Sequence, residues 1–294
     1  MRQLHLRAMG KINLGLDVLG TLPNGYHEVR MVMQMVNIYD QITLKETKEP
    51  GISMTTNLHF LPVIENNLVY KAAKLLMDEF QVKSGLSIHL YKYLPVAAGM
   101  AGGSSDAACA LAGINRMFRL GLSTEELMQR GVTIGADVPY CILRSTALAK
   151  GIGEKLSPLP PMPRCHILIA KPPVSVSTKF VYENLDIQTV REHPPIDNLL
   201  QALSDGNLPA LAASMGNVLE TVTIPHYPEI QAIKQCMLEH GALNAMMSGS
   251  GPTVFGIFEE KKYATAKRAL TALKAQGIAK QFYLTTPYNP KKQW

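Results

Sequence analysis

The sequence predicts an α+β fold arranged in two lobes. Residues 4–44 alternate short apolar runs with turn signals, which is typical of strands and hairpins. From residue 66, helical and strand patterns follow one another without the regular repetition of a parallel βαβ fold. A proline-dense stretch from Pro158 to Pro163 is the best candidate for a linker. We therefore expect an N-terminal domain over residues 1–160 and a C-terminal domain over residues 161–294.

In the first lobe, strand patterns come before helical ones. Pro23-Asn24-Gly25 is a turn signal within the first strands. After Asn66 or Asn67, either of which can cap a helix, apolar residues recur at helical spacing. They are Leu68, Ala72, Leu75, Leu76 and Phe80. Residues 86–90 alternate as a half-buried strand, a helix is predicted over about 105–118, and Ser123 with Glu126 has the spacing of a capping box that starts another helix.

The second lobe begins with an apolar strand over residues 166–170. Helical patterns follow near residues 198–203 and 229–239. A Ser-Gly-Ser-Gly turn then precedes a strand over 253–258, a long helix over about 263–276 and a final strand near 281–285. This irregular mixture completes the case for α+β rather than α/β.

Composition and charge exclude several classes of protein. With 47% hydrophobic and 18% charged residues, the chain has the profile of a globular protein. No apolar run reaches the roughly 18 residues that a bilayer crossing needs, and the first residues lack the features of a signal peptide, so we expect a cytoplasmic protein without a membrane partner. The net charge of +6 is scattered, without an arginine-rich arm or a helix-turn-helix pattern. We therefore expect no nucleic-acid partner, and polyanionic small ligands fit the excess of positive charge.

The four cysteines are widely spaced, with no CxxC pair and no histidine cluster nearby. They are Cys109, Cys141, Cys165 and Cys236. This spacing favours buried, reduced thiols over a zinc site or a disulfide framework.

The most informative segment is the glycine-rich run from Pro95 to Ala107, between a predicted strand and a predicted helix. Glycines let backbone N–H groups approach an anion, and the helix that we expect to begin at Ser104 adds its own free N–H groups and dipole. The Ser104 and Ser105 hydroxyls could bind phosphate or ligate Mg²⁺. The segment could also be a plain turn. It is neither a Walker A loop nor a GxGxxG dinucleotide fingerprint, and the chain lacks protein-kinase motifs.

This segment resembles the ATP-binding motif of the GHMP kinases, the superfamily of galactose, homoserine, mevalonate and phosphomevalonate kinases. Two further segments fit that superfamily: Lys11-Ile12-Asn13-Leu14 near the start and Ser248-Gly249-Ser250-Gly251-Pro252-Thr253 before a strand. The second could be a hairpin turn, but its place in the chain favours a packing partner of the phosphate loop. The resemblance implies a two-lobed GHMP kinase fold, with a ribosomal-protein-S5-like ATP-binding lobe and a ferredoxin-like C-terminal lobe, and it implies ATP and Mg²⁺ as cofactors.

A closer resemblance covers nearly the whole chain. It is to the subfamily of GHMP kinases that phosphorylates a cytidine diphosphate-linked methylerythritol. Four segments carry it: Gly10–Leu14, Gly25-Tyr26-His27, Gly102–Asp106 and Gly135–Pro139, and Gln34 and Tyr39-Asp40 also fit. Met9-Gly10 departs from the Pro-Ala that is more common in that subfamily. The alternatives are another GHMP kinase, acting on mevalonate, homoserine or a sugar, and a non-catalytic nucleotide sensor on the same fold.

The resemblance implies a role for each candidate site residue. Asp137 would accept the proton of the substrate hydroxyl, and Lys11 would hold that aspartate and the developing charge. From the residues alone, a turn aspartate and a solvent-facing strand lysine remain open. ATP would be bound by Pro95, Val96, Ala97, Ala98, Gly99, Met100, Ala101, Gly102, Gly103, Ser104 and Ser105, with Asn67 and Lys92 near adenine. The substrate would be bound by Asn13, Tyr26, His27 and Tyr182, although Phe180 could replace Tyr182. Neither the metal ligands nor the choice between monomer and homodimer follows from the sequence.

Overall fold

The computed structural model describes residues 1–23 and 25–290 of the chain. Asn24, in the predicted turn at Pro23-Asn24-Gly25, lies outside the described residues. Within them, eleven strands form two sheets. The strands are β1 Gln3–Thr21, β2 His27–Thr47, β3 Ile52–Thr56, β4 Gly85–Tyr91, β5 Ala147–Gly151, β6 Lys155–Pro158, β7 Cys165–Lys171, β8 Gly216–Asn217, β9 Asn244–Met247, β10 Val254–Glu259 and β11 Gln281–Thr285.

The first sheet is built on the long antiparallel pair β1 and β2. Its order is β3-β4-β2-β1-β8, and β5 pairs with β2 and with β6. β2 is long enough to share one edge between two partners, because it pairs with β5 over residues 29–33 and with β4 over residues 41–47. The register of β1 shifts at bulges between Met9 and Gly10 and between Asn13 and Gly15. Bulges re-aim side chains, so residues 11 and 13 are presented from an irregular part of the strand.

The second sheet has the order β11-β7-β10-β9, and its neighbouring strands are antiparallel. Of the predicted linker from Pro158 to Pro163, Pro158 is the last residue of β6, and the rest lies in the non-regular segment 159–164 before β7, the first strand of the second sheet. Strand β8, from the second half of the chain, nevertheless joins the first sheet beside β1. The domain division at residue 160 stays a prediction.

Ten α-helices pack on these sheets within the described ranges. They are α1 Leu68–Glu79, α2 Gly102–Phe118, α3 Thr124–Ile134, α4 Val138–Leu143, α5 Thr178–Glu183, α6 Ile196–Ser204, α7 Leu208–Ala213, α8 Glu220–His226, α9 Glu229–Glu239 and α10 Tyr263–Gln276. The longest has 17 residues, and none in residues 1–23 and 25–290 combines the length and the apolar character of a membrane-crossing helix.

Helix α2 is the central helix of the first lobe. It is buried along almost its whole length, between α1, α4 and the first sheet. Gly113 allows its close approach to the sheet, because a Cβ there would lie 2.4 Å from Leu6 and 2.6 Å from Leu44. The helix that begins within the glycine-rich segment is thus held firmly against the sheet.

Most predicted elements are confirmed, and the differences have local causes. Asn67 caps α1, and the capping box of Ser123 and Glu126 starts α3. Helix α2 begins at Gly102, two residues before the predicted start at Ser104, because Gly102 and Gly103 adopt helical geometry in spite of their low helix propensity. The predicted burial of all four cysteines is confirmed.

Candidate active site

The first part of the glycine-rich segment, residues 95–101, lies in a loop over residues 92–101 between β4 and α2, which we call the phosphate loop, and the rest of the segment begins α2. Three of its residues have left-handed backbone: Ala97 at φ 50°, Gly99 at φ 70° and Ala101 at φ 53°. At Gly99 only glycine fits, because a Cβ would lie 2.1 Å from the carbonyl oxygen of Ser248. This conformation turns the chain directly into α2.

The N-terminus of α2 presents free backbone donors to a large cavity. The first intrahelical bond is donated by the Ser105 N–H to the Ala101 carbonyl, so the N–H groups of Gly102, Gly103 and Ser104 have no acceptor within the helix. Ala101 provides no side-chain cap. These three residues line a cavity of about 970 Å³. Uncapped N–H groups and the helix dipole together make this end of the cavity suited to phosphate.

The cavity wall includes most, but not all, of the predicted loop residues. It is formed in part by Pro95, Val96, Ala97, Ala98, Gly99, Ala101, Gly102, Gly103 and Ser104. Met100 and Ser105 are buried behind that wall. The Met100 carbonyl accepts a hydrogen bond from the Lys11 N–H at 3.1 Å, and the Ser105 hydroxyl donates to the Met9 carbonyl at 2.6 Å. The expectation that the Ser105 hydroxyl faces phosphate or Mg²⁺ is corrected: it ties α2 to β1.

The two glycine-rich segments pack against each other, as predicted. The Ser248 hydroxyl donates to the Gly99 carbonyl at 2.9 Å. Asn217, which sequence reasoning missed, holds the second segment through its side-chain amide, which donates to the carbonyls of Met247 at 2.9 Å and Gly249 at 2.8 Å. Gly249 in turn lies beside Lys11, whose Nζ would be 3.5 Å from a Cβ at that position.

Lys11 and Asn13 project from the same face of β1 into the cavity. Lys11 is buried, and its ammonium donates to Asn13 Oδ1 at 2.7 Å. Asp137 lines the same cavity from the turn before α4, and its side chain does not cap that helix. No ion pair within 4.0 Å joins Lys11 and Asp137 in the described part of the chain, so a direct hold of Lys11 on the aspartate is not seen.

The charges of Lys11 and Asp137 nevertheless act on one buried group. Burial raises the pKa of the Cys141 thiol well above its ordinary value, the negative charge of Asp137 raises it further, and the positive charge of Lys11 opposes that rise. The thiol stays protonated and inert at neutral pH. The two candidate catalytic residues therefore share one neighbourhood of the cavity.

A pair of aromatic rings forms another part of the wall. The ring centroids of His27 and Tyr182 are 5.1 Å apart, and Tyr26 beside them is 60% exposed. Burial raises the pKa of Tyr182 to about 12, so its hydroxyl is neutral. The alternative residue, Phe180, packs edge-on against His226 and is not part of the cavity wall. The structure thus brings Tyr182, and not Phe180, to the cavity.

Asn67 and Lys92 also line the cavity, but both side chains have structural partners. Asn67 caps α1 by accepting from the Val69 N–H at 2.8 Å, and it donates to the Pro62 carbonyl at 2.8 Å. The Lys92 ammonium lies between two buried carboxylates, Asp40 and Asp106. The Lys92 side chain is therefore engaged by these two carboxylates beneath the phosphate loop. The placement of Lys92 near adenine is not supported by its side-chain contacts.

Comparison with known proteins finds relatives that match nearly the whole chain. Residues 67–145 match the model of the GHMP kinases N terminal domain, and residues 199–279 match that of GHMP kinases C terminal. A 4-diphosphocytidyl-2-C-methyl-D-erythritol kinase of Lachnospira eligens is 57% identical over 99% of this chain and 100% of its own length. A protein of the same name from Alkaliphilus metalliredigens is 47% identical over 99% of both chains. A crystal structure of 4-(cytidine 5'-diphospho)-2C-methyl-D-erythritol kinase superimposes with a TM-score of 0.83 at 29% identity, covering 98% of this chain and 100% of the other.

Proposed function

Because the chain belongs to the GHMP kinases, and among them to the family of 4-diphosphocytidyl-2-C-methyl-D-erythritol kinases, we propose that it transfers the γ-phosphoryl group of ATP to the 2-hydroxyl of 4-diphosphocytidyl-2-C-methyl-D-erythritol. This reaction is a step of non-mevalonate isoprenoid biosynthesis. The observation that carries the proposal is that one cavity is lined by the phosphate loop, by Lys11 and Asp137, and by the His27–Tyr182 pair. A nucleotide, a reacting hydroxyl and a second base each have a candidate surface there.

ATP is held chiefly by backbone in this proposal. The N–H groups of Gly102, Gly103 and Ser104 point their partial positive charge at the phosphates, where negative charge accumulates during transfer. The Ser104 hydroxyl, on the cavity wall, adds a side-chain donor. Phosphoryl transfer asks the protein mainly for alignment and charge stabilisation, and the close packing of α2 against the sheet provides the alignment.

Asp137 and Lys11 act on the acceptor in this proposal. The Asp137 carboxylate takes the proton from the 2-hydroxyl as that oxygen attacks the γ-phosphorus. The Lys11 ammonium, kept in place by Asn13, stabilises the charge that develops on the transferred group. Asn13 thereby contributes to the acceptor site through the orientation of Lys11.

Mg²⁺ fits the oxygen donors of the cavity. The Ser104 hydroxyl is an oxygen ligand of the kind that Mg²⁺ prefers, and in kinases this ion is held by few protein groups together with substrate phosphates. When bound, the ion neutralises part of the phosphate charge. Its role here, like the cytoplasmic location and the choice between monomer and homodimer, remains a prediction.

A panel of acceptors tests the proposal. ADP release is measured with 4-diphosphocytidyl-2-C-methyl-D-erythritol, mevalonate, homoserine and galactose, each with ATP and Mg²⁺. The proposal predicts rapid ADP release with the first acceptor alone. Preference for another acceptor would assign the chain a different substrate, and binding of ATP without ADP release in any reaction would point to a nucleotide sensor.

A further inference from the structure

Three buried ionisable side chains meet beneath the phosphate loop. The Lys92 ammonium donates to Asp106 Oδ2 at 2.6 Å and to Asp40 Oδ2. Their side chains are 5%, 2% and 0% exposed, respectively. They come from three separate elements, because Asp40 lies on β2, Lys92 follows β4 and Asp106 lies in α2. We call Asp40, Lys92 and Asp106 the buried triad.

Asp40 also holds the chain where it enters the loop. Its second oxygen, Oδ1, accepts from the Tyr93 N–H at 2.6 Å and from the Leu94 N–H at 2.7 Å. One carboxylate thus binds three consecutive residues on the entry side of the loop. Through the Lys92 ammonium it is also connected to Asp106, on the exit side. The buried triad therefore joins both ends of the loop.

The loop needs such support because its backbone is strained. Ala97 and Ala101 carry a Cβ and yet have positive φ values of 50° and 53°. Left-handed backbone in residues other than glycine persists where the surrounding structure fixes it. The bonds to Gly99 and Met100 support the second half of the loop. The buried triad supports its two ends.

Burial of the Asp106 carboxyl group costs free energy, and no gain in the stability of the fold explains why it is there. Its Oδ1 atom is buried and has no hydrogen-bond partner in residues 1–23 and 25–290. Buried ion pairs are often replaced by apolar groups without loss of stability. A carboxyl kept under these conditions points to a use other than stability.

We infer that the buried triad is a positioning unit, which holds the phosphate loop in the shape that binds ATP and so sets the affinity for ATP but not for the acceptor. The inference rests on the proposed function, because it takes the loop as the phosphate site. Asp40 and Asp106 act on the nucleotide through Lys92 and the loop backbone. The hydrogen bond between Lys92 and Asp106 is the part that a single substitution can remove.

Two substitutions at one position separate the hydrogen bond from the rest of the fold. Asp106→Ala removes the acceptor of the Lys92 ammonium and leaves Lys92 paired with Asp40. Asp106→Asn keeps an acceptor, because its amide oxygen can take the place of Oδ2. We expect Asp106→Ala to raise the calorimetric Kd for ATP about 10-fold, the scale of one lost hydrogen bond to a charged group. Asp106→Asn should stay within about 3-fold of the wild type, since that bond is retained.

Two further measurements exclude a general structural effect. The KM for the acceptor should be unchanged in both variants, and both should still unfold in a cooperative thermal transition. Glu79→Gln is the matched control, because it breaks another ion pair, that of Glu79 with Arg130 at 2.5 Å, between residues that do not line the cavity. It should leave the Kd for ATP at the wild-type value.

Wild-type ATP affinity in Asp106→Ala, an equal loss in Asp106→Ala and Asp106→Asn, or a parallel loss of acceptor binding would each overturn the inference. If Asp106→Ala does not fold, Asp40→Asn is measured in its place. The one side-chain oxygen of the asparagine in this variant can still accept from the N–H groups of Tyr93 and Leu94. Its NH₂ group then faces the Lys92 ammonium and cannot accept from it, so we expect the same rise in the Kd for ATP.

Gly103→Val distinguishes this inference from the proposed function. Loss of ATP binding in Gly103→Val with normal binding in Asp106→Ala refutes the positioning unit alone. Normal ATP binding in Gly103→Val refutes the loop as the phosphate site, and with it both proposals.

Discussion

The ring centroids of His27 and Tyr182 lie 5.1 Å apart, with the two rings tilted by 42°. His27 opens β2 in the first lobe, whereas Tyr182 lies on α5 in the second half of the chain. The aromatic part of the cavity wall is therefore assembled from distant segments. Phe180, two residues before Tyr182, is directed instead at His226.

This arrangement predicts that Tyr182 contributes to acceptor binding and Phe180 does not. Stacking of a base on an aromatic ring is worth about 1–3 kcal/mol, so Tyr182→Ala should raise the KM for the cytidyl substrate about 5- to 150-fold. The KM for ATP should not change. Phe180→Ala is the matched control, and steady-state kinetics that show the same rise for both variants would contradict the assignment.

Asp137 is predicted to be the general base. Asp137→Ala should lower kcat by about 100-fold or more, the usual scale for the loss of such a group. The Kd for ATP should change little, because Asp137 belongs to neither glycine-rich segment. If Lys11 and Asp137 act as one unit, the total loss of kcat in the double variant Lys11→Met/Asp137→Ala should be much smaller than the product of the losses in the two single variants. Normal turnover by Asp137→Ala would remove Asp137 from the mechanism.

We predict that a side chain at position 103 would obstruct the nucleotide and that the fold itself does not require glycine there. A Cβ there would meet only Leu68 Cδ1, at 3.6 Å, within 4 Å among the described residues. Gly103→Val should therefore abolish calorimetric ATP binding while its thermal transition stays near-native. Gly20→Val makes the same change on β1, away from the cavity, where no atom of the described residues lies within 4 Å of a Cβ, and should bind ATP normally. Retained ATP binding by Gly103→Val would reduce the loop to a turn.

The buried Asp106 predicts a specific pH dependence of stability. Its pKa is raised in the folded protein, by burial first and by Asp40 second, against the opposing charge of Lys92. A raised carboxyl pKa means that the folded state binds the proton more tightly than the unfolded state, so this contribution to stability is present below the ordinary pKa and is lost as the pH rises through the folded value. Asparagine does not titrate.

The melting temperature of Asp106→Asn minus that of the wild type should therefore increase as the pH rises from about 4 towards 8, starting at the ordinary pKa of aspartate. Thermal melts of both proteins across this range measure the difference. Both proteins keep Lys92 and Asp40 beside position 106, so the difference between their melting temperatures reports on the carboxyl group of Asp106. A difference that falls with pH, or stays constant, would show that Asp106 carries no such penalty.

The long periodic elements could be predicted from the sequence. Helices α9 and α10 and strand β11 have the predicted bounds, because each carries a sustained apolar pattern. Short elements lack that signal. Helix α4 has six residues, all of them buried, so no amphipathic period exists, and β8 is two residues defined by pairing with β1.

The candidate site was predictable where one segment carries its chemistry, as in the glycine-rich loop. It was not predictable where distant residues combine. Asp40 lies 52 residues from Lys92, and no local sequence pattern predicts their ion pair. Asn217 is joined to the second glycine-rich segment in the same way, by tertiary contact alone. Asp106 stands within the motif, but its burial and its missing partner at Oδ1 emerge only from the fold.

The central claim is that the acceptor is recognised through its cytidine diphosphate group as well as phosphorylated on its methylerythritol end. The most direct test measures kcat/KM of the wild-type enzyme for 4-diphosphocytidyl-2-C-methyl-D-erythritol and for methylerythritol without the cytidine diphosphate group. We expect removal of this group to lower kcat/KM by at least about 5-fold, because one stacked base contributes about 5- to 150-fold. Equal kcat/KM for the two acceptors would contradict it.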